Sequence, residues 1–408
     1  LLTFSLNFSK IKIKVLTLFS GKKNFKEIVM DYLLTEEQKM LKEMVAKFAK
    51  EELGPIAREY EEQGIFPAEV VKKAGELGLM GIAYPQEYGG AGMDFVAYMI
   101  AIEEISRYCA STGVIVSAHS SLAVDPIFRF GTEEQKKKYL PDMCSGKKIG
   151  CLGLTEPGAG SDAGAIKTTA KLEGDKWVLN GTKNFTTNGG EAEVAVVCAL
   201  NAPELKGKGI SAFIVEKGTP GFSVGKHEKK LGINSTSTTE LIFEDCAIPK
   251  ENLLGELNKG FKIAMITLDG GRLGITGQAL GIARASIEDS IKFAKEREQF
   301  GQTIANFQAI QWMLANMATE YEAAWLLGYR ASLMKDRGLR YTKEAAMAKL
   351  KASEVASHCA NRAIQIHGGY GYTKEFDVER YLRDAKITEI YEGTNEIMRL
   401  VISANLLK

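Results

Sequence analysis

The chain has 408 residues, 45% hydrophobic and 25% charged, with 52 basic against 51 acidic side chains. That is material for roughly two or three domains with full cores, and a net charge of +1 leaves no electrostatic footprint for nucleic acid. No run approaches the ~18 apolar residues of a membrane-spanning helix. The six cysteines contain no CxxC pair and read as reduced core residues of a cytoplasmic protein.

Residues 1–29 carry lysines between short apolar runs, as in Lys10-Ile11-Lys12-Ile13-Lys14. They lack the arginines of a transit peptide and the unbroken apolar stretch of a secretory signal. They read as a non-native or disordered extension before a start at Met30. From there to Lys148 the pattern is an N-terminal α-helical domain. Thr35-Glu36-Glu37-Gln38 and Thr132-Glu133-Glu134-Gln135 are capping boxes, and Pro67 stands just inside another helix start.

Residues 149–256 change texture. Lys176–Leu179, Val194–Val197 and Ile210–Val215 are strand-length runs between turn residues. They follow one another without intervening helices, which predicts an antiparallel, barrel-like β domain rather than βαβ units. Residues 257–408 return to helix. Phe261–Lys295, Ala305–Lys335 and Thr342–His367 each exceed 20 residues, the pattern of a four-helix-bundle-like domain. Ile387–Tyr391 reads as a short strand, and Asn395–Leu407 as a last helix. The fold class is therefore α+β: helical, then β, then helical.

Gly158-Ala159-Gly160-Ser161-Asp162-Ala163 matches G-x-G-x-x-A, the dinucleotide fingerprint. That fingerprint works only where a helix opens behind it. Here Lys167–Leu172 reads as a strand, which removes the Rossmann reading and leaves either a plain turn or a loop whose N–H groups approach an anion. No Walker loop, HExxH or spaced Cys/His metal set is present. His119, His227, His358 and His367 are unclustered.

The run Gly153-Leu-Thr-Glu-Pro-Gly-Ala-Gly-Ser-Asp-Ala-Gly-Ala165 is similar to the signature of acyl-CoA dehydrogenases. The resemblance continues in family order at Lys183–Gly190, Arg297–Gly301, Gln365–Gly371, Arg383–Lys386 and Ile390-Tyr391-Glu392-Gly393-Thr394-Asn395-Glu396-Ile397. Cys109–Val114 and Leu268–Arg272 look most like the short-chain, butyryl-CoA branch. The resemblance covers essentially Met30–Lys408.

It implies FAD-dependent α,β-dehydrogenation of a short acyl-CoA, with Glu392 taking the α-proton and its backbone N–H helping to hold the thioester oxygen. Leu152, Thr155, Gly160 and Ser161 are implied flavin contacts, Ser161 also meeting the CoA part. Phe185, Thr186 and Thr187 pack the flavin ring; many family members carry Trp at the Phe185 position, so stacking survives but an indole N–H is lost. Arg297, Phe300, Gln308, Gln365, Ile366, His367, Gly368 and Gly369 are implied for the pyrophosphate and adenine side of a neighbouring subunit's FAD, hence a homotetramer. Thr394, Asn395 and Glu396 bring the positive end of the final helix to the flavin phosphates.

Asp269, Gly270, Gly271, Arg272, Tyr391 and Gly393 are implied substrate contacts. Some branches place the base immediately before the arginine; here that residue is Gly271, which supports Glu392. Leu231–Thr238 departs from the family, where a basic residue often stands at the Asn234 position. Electrons are expected to pass to an electron-transfer flavoprotein. The same site run in reverse is an enoyl-CoA reductase, and a DNA-associated relative of the fold is a remote third reading, opposed by the neutral charge balance.

Overall fold

The computed structural model describes residues 33–408; the expectations for residues 1–29 and for Met30 lie outside them. Residues 1–40 and 41–408 form two units. Thr35 and Gln38 cap helix α1 (Glu36–Phe48) reciprocally: Gln38 N donates to Thr35 Oγ1 (3.2 Å) and Thr35 N to Gln38 Oε1 (3.0 Å).

The second unit opens with short helices, among them α2 (Ala57–Gln63) and α3 (Ala68–Glu76), where Pro67 is the N-cap rather than the first helical residue. Next come α4 (Phe95–Ser106), α5 (Ala110–Ala118), α6 (Asp125–Phe130) and α7 (Glu133–Cys144). Helices α4 and α5 are apolar on nearly every face and buried throughout, as interior helices must be. Thr132 and Gln135 form the expected box on α7, and Gln135 Nε2 also donates to Glu251 O (2.7 Å) and Leu253 O (2.9 Å), tying this helix to the sheet.

Eight strands follow: β1 (Gly150–Gly153), β2 (Thr169–Glu173), β3 (Lys176–Thr187), β4 (Val194–Leu200), β5 (Ile210–Glu216), β6 (Phe222–His227), β7 (Thr238–Pro249) and β8 (Leu253–Leu254). The order is β6-β7-β3-β2-β4-β5-β8, antiparallel but for β2 on β4, with β1 also pairing parallel to β4. The register of β3 on β7 shifts between Lys183 and Thr186, leaving Asn184 and Phe185 as a bulge.

The C-terminal part is built on α8 (Gly260–Glu296), α9 (Gln308–Asp336) and α10 (Thr342–His367), mutually packed. Small residues let α8 lie against α4: a Cβ on Gly277 would stand 2.6 Å from Met99 O, and one on Gly281 would stand 2.5 Å from Glu103 O. Glu103 accepts from Tyr321 and Trp325 of α9, and Glu104 pairs with Arg284 of α8 at 2.5 Å. Between α8 and α9 a two-stranded ribbon (Glu298–Gln299, Gln302–Thr303) turns the chain, and α9 starts at Gln308, not Ala305. The expected strand Ile387–Tyr391 is instead the end of a helix, α11 (Val378–Thr388), and the turn after it. Helix α12 (Asn395–Leu406) closes the chain. Among the described residues no helix is long and apolar enough to cross a membrane, and no group of three or more His, Cys, Asp or Glu is placed to hold a metal.

Candidate active site

Glu392 sits where α11 gives way to a tight turn. Tyr391 N donates to Ile387 O (3.1 Å), and the next two residues are left-handed, Glu392 at φ 53° and Gly393 at φ 98°. That backbone is strained for a residue with a Cβ and persists only where its surroundings hold it. Asn395 N donates to Glu389 O (2.9 Å), Thr394 Oγ1 accepts from Ile397 N (3.3 Å) as the N-cap of α12, and the Tyr391 hydroxyl donates to Gln278, whose Nε2 donates to Ala110 O (2.9 Å).

The Glu392 side chain faces Gly271 of α8. A Cβ there would lie 2.0 Å from Glu392 Oε2 and 2.8 Å from Leu122 Cδ2, so only glycine leaves room. Oε2 is buried and has no hydrogen-bond partner. Burial pushes the carboxyl up to about 8 against the opposing pull of Arg272 and Lys349.

Arg272 is buried and donates through Nη1 to Asp269 Oδ1 (2.6 Å) and through Nε to Glu392 O (3.4 Å). Asp269 Oδ2 accepts from Thr342 Oγ1 (2.6 Å). Asp269 is thus a buttress for Arg272. Gly270 faces Lys335 Nζ (2.7 Å from an added Cβ), while Gly271 alone of this run faces Glu392.

The glycine loop after β1 opens no α-helix; its only helical piece is a single 3-10 turn, Ala163–Ala165. It is shaped by a buried ion pair. Glu156 accepts from Lys183 Nζ (2.7 Å), Lys167 N (2.6 Å) and Thr168 N (2.9 Å), and Lys183 also donates to Leu154 O (3.2 Å). The same loop takes a bond from the bulge, Asn184 N to Thr155 O (2.7 Å). The bulge turns Phe185 outward at φ 52° and 62% exposure, beside a buried Thr186 whose Oγ1 has no partner. Ser161 is exposed, Leu152, Thr155 and Thr187 half-buried, and Gly158 and Gly160 have open space where a Cβ would go. An exposed ring, an unpartnered hydroxyl and a glycine loop with unobstructed backbone suit a planar cofactor with a phosphate tail.

A second locus lies at the far end of α8. Arg297, Ile366, His367, Gly368 and Gly369 line a cavity of about 550 Å³. His367 stacks on Phe293 (centroids 4.2 Å apart), and the Arg297 guanidinium lies 5.6 Å from the centre of the Tyr370 ring. Gln308 and Gln365 are exposed, and Phe300 at the ribbon tip is 94% exposed. Asn395 is buried, its side-chain oxygen taken up by Lys349 and Ser353; Glu396 is exposed.

Residues the sequence pattern did not single out complete the picture. Leu122 packs at Gly271, Glu156 and Lys183 form the buried pair, and Lys349 and Gln278 bind the Glu392 turn. A larger cavity, about 1170 Å³, is lined by Lys206, Lys208, Lys259, Lys262 and Phe261. The lysine-rich Lys206–Lys208 segment carried a visible charge signal; the others depend on contacts far apart in the chain.

The chain runs helical, β, helical, and carries both a carboxylate with a shielded, unpartnered oxygen and an open glycine loop, a layout that suits an oxidoreductase. The acyl-CoA dehydrogenase N-terminal, middle and C-terminal domain families match residues 35–147, 151–246 and 258–407. A short-chain specific acyl-CoA dehydrogenase of Clostridium acetobutylicum is 54% identical over 379 residues, 93% of this chain and all of that protein. An acryloyl-CoA reductase (NADH) of Anaerotignum propionicum is 52% identical over 381 residues, 93% of this chain and 96% of that protein. The structure of butyryl-CoA dehydrogenase from Megasphaera elsdenii superposes with TM-score 0.91 at 45% identity, covering 92% of this chain and 99% of that one. The chain belongs to the acyl-CoA dehydrogenase family.

Proposed function

We propose that the chain is an FAD-dependent short-chain acyl-CoA dehydrogenase in which Glu392 removes the α-proton of a butyryl-CoA-like thioester. The observation that carries this reading is the Glu392 carboxyl: half-buried, its shielded Oε2 unpartnered, and facing Gly271, a position on α8 that bears no side chain. A base near neutrality at the reacting carbon is what α-proton removal needs. The glycine loop, the bulge and Thr186 would hold FAD, which would supply the acceptor for the β-hydride, so that loss of the α-proton and the β-hydrogen would leave a trans-2-enoyl-CoA. The Glu392 N–H has no acceptor among the described residues and is available to the thioester oxygen.

The substrate follows α8. The lysines around Phe261 suit the CoA phosphates, and Phe261 to Gly271 spans about 15 Å of helix, a path for the pantetheine arm past the partly buried Met265 and Leu268. Arg272 and Arg297 are separated by about 37 Å along the same helix, longer than one extended FAD. The Arg297 cavity therefore serves a neighbouring subunit's cofactor, which supports a homotetramer. The electrons leave to an electron-transfer flavoprotein. The reverse reaction, enoyl-CoA reduction, is the second reading, favoured by the likeness to the acryloyl-CoA reductase.

The test is anaerobic bleaching of the purified flavoprotein by saturated acyl-CoAs of graded length. The fastest bleaching is expected with the four-carbon chain; an optimum at long chains would overturn the short-chain assignment. Rapid reoxidation of dithionite-reduced enzyme by crotonyl-CoA, with negligible bleaching by butyryl-CoA, would favour the reverse reading.

A further inference from the structure

Lys349 lies in α10 with no solvent exposure. A fully buried ammonium ordinarily sits on a carboxylate. This one instead donates to Gly393 O (2.9 Å) and to Asn395 Oδ1 (3.0 Å), on the residues that follow Glu392. Ser353, one turn further along α10, donates to the same Asn395 oxygen (3.0 Å).

We infer that Lys349 is a positioning residue for Glu392, pinning the left-handed Glu392–Gly393 turn from its C-terminal side so that the carboxyl stays aimed past Gly271. The inference rests on the reading of Glu392 as the base. From the N-terminal side the turn is anchored by α11 and by Tyr391 on Gln278; Arg272 reaches the Glu392 carbonyl only at 3.4 Å. Without a donor at Gly393 O the turn loses its C-terminal anchor, and Glu392, which carries a Cβ at φ 53°, can relax toward ordinary dihedrals and swing the carboxyl away. Asn395, pinned between Lys349 and Ser353, fixes the first turn of α12 relative to α10.

The charged groups whose fields reach Lys349 are Glu392, Arg272, Glu389 and Glu396. Burial pushes its ammonium down to about 8, and its positive charge acts on Glu392 to keep that carboxyl lower than burial alone would. Removing the ammonium therefore has two signatures: a misaimed base, and a base that ionises at higher pH.

The experiment compares wild type with Lys349→Met and Lys349→Gln as FAD-loaded enzymes, with Glu392→Gln alongside. The readouts are the limiting rate of anaerobic flavin reduction by butyryl-CoA against pH, the flavin-to-protein ratio and the melting temperature. Lys349→Met is expected to lower the high-pH plateau roughly 10- to 100-fold, the size of effect that a misplacement of about 1 Å produces, and to move the acid limb to higher pH. Lys349→Gln, which keeps a donor for Gly393 O, is expected to show the pH displacement with a smaller plateau loss. A wild-type plateau and wild-type acid limb in either folded variant, beside an inert Glu392→Gln, overturns the inference and leaves the base assignment standing. Near-normal reduction by Glu392→Gln overturns the base assignment and the inference with it. If Lys349→Met does not fold, Lys349→Gln decides by the same criteria.

Discussion

The fold treats two glutamates oppositely, buried Glu156 and half-buried Glu392. Glu156 spreads three accepted bonds over its two oxygens, and Lys183 and those bonds outweigh the burial that would raise it, holding its carboxyl below the usual range. Glu392 has cations nearby but no hydrogen bond on Oε2, and burial wins, taking it to about 8. A satisfied carboxylate is scaffolding; an unsatisfied one held in a strained turn keeps its proton affinity for chemistry. The difference lies in what surrounds each group, since both are Glu in a glycine-containing loop.

Lys183→Met should produce the largest effect. It leaves Glu156 buried without its cation, and loss of one partner of such a pair costs about 3–5 kcal/mol. Urea denaturation should show that loss together with a lower flavin content, since the glycine loop hangs on the pair. A stability within 1 kcal/mol of wild type would mean that Glu156 is not the scaffold described.

Gly271→Ala attacks the other side of the comparison. The new Cβ forces Glu392 or Leu122 to move, and flavin reduction by butyryl-CoA should fall about 100-fold while the flavin-to-protein ratio is kept. Unchanged reduction would show that the carboxyl has another productive position.

Stability against pH separates the two glutamates more finely. Glu392 is raised from an unfolded value near 4.5 to about 8 in the fold. Its protonated form therefore contributes stability in full below about 4.5 and loses it as pH climbs through 8. Glu392→Gln stays neutral, so its melting temperature should exceed that of wild type by more at pH 8.5 than at pH 5. An equal gap at both would contradict the raised carboxyl.

The smallest effect is expected at His119, whose Nδ1 accepts from Gly150 N (2.9 Å) and whose Nε2 donates to Met143 O (3.0 Å). Burial lowers its imidazole from 6.5 to about 4, so the neutral ring contributes stability above about 6.5 that is lost as pH falls through 4. Wild type should weaken over that window more steeply than His119→Gln, measured as the urea midpoint against pH.

Much of this was legible in the sequence because it is local. The capping boxes at Thr35 and Thr132, the α10 boundaries and the layout of helix, strand and helix follow from spacing and turn residues. The glycine motif was separated from a Rossmann loop because the residues after it alternate as a strand. Helix α11 was not read: Ile387, Ile390 and Tyr391 look like strand formers, while burial of Val378, Tyr381 and Ala385 on one face decides for helix. Of the site, Glu392 and Gly271 were accessible through the motifs that frame them. Lys349 and the Glu156–Lys183 pair were not, because their roles are contacts between residues 27 to 46 positions apart, which no window of spacing can show.

The most direct measurement is the rate of anaerobic flavin reduction by butyryl-CoA across pH 6 to about 10, in wild type and Glu392→Gln, reported as kcat/KM so that it reads the free enzyme. The wild-type rate is expected to rise through an ionisation near 8, and the glutamine variant to bind FAD yet scarcely bleach at any pH. A variant that bleaches at the wild-type rate, with the same rise, would place the base on another residue than Glu392.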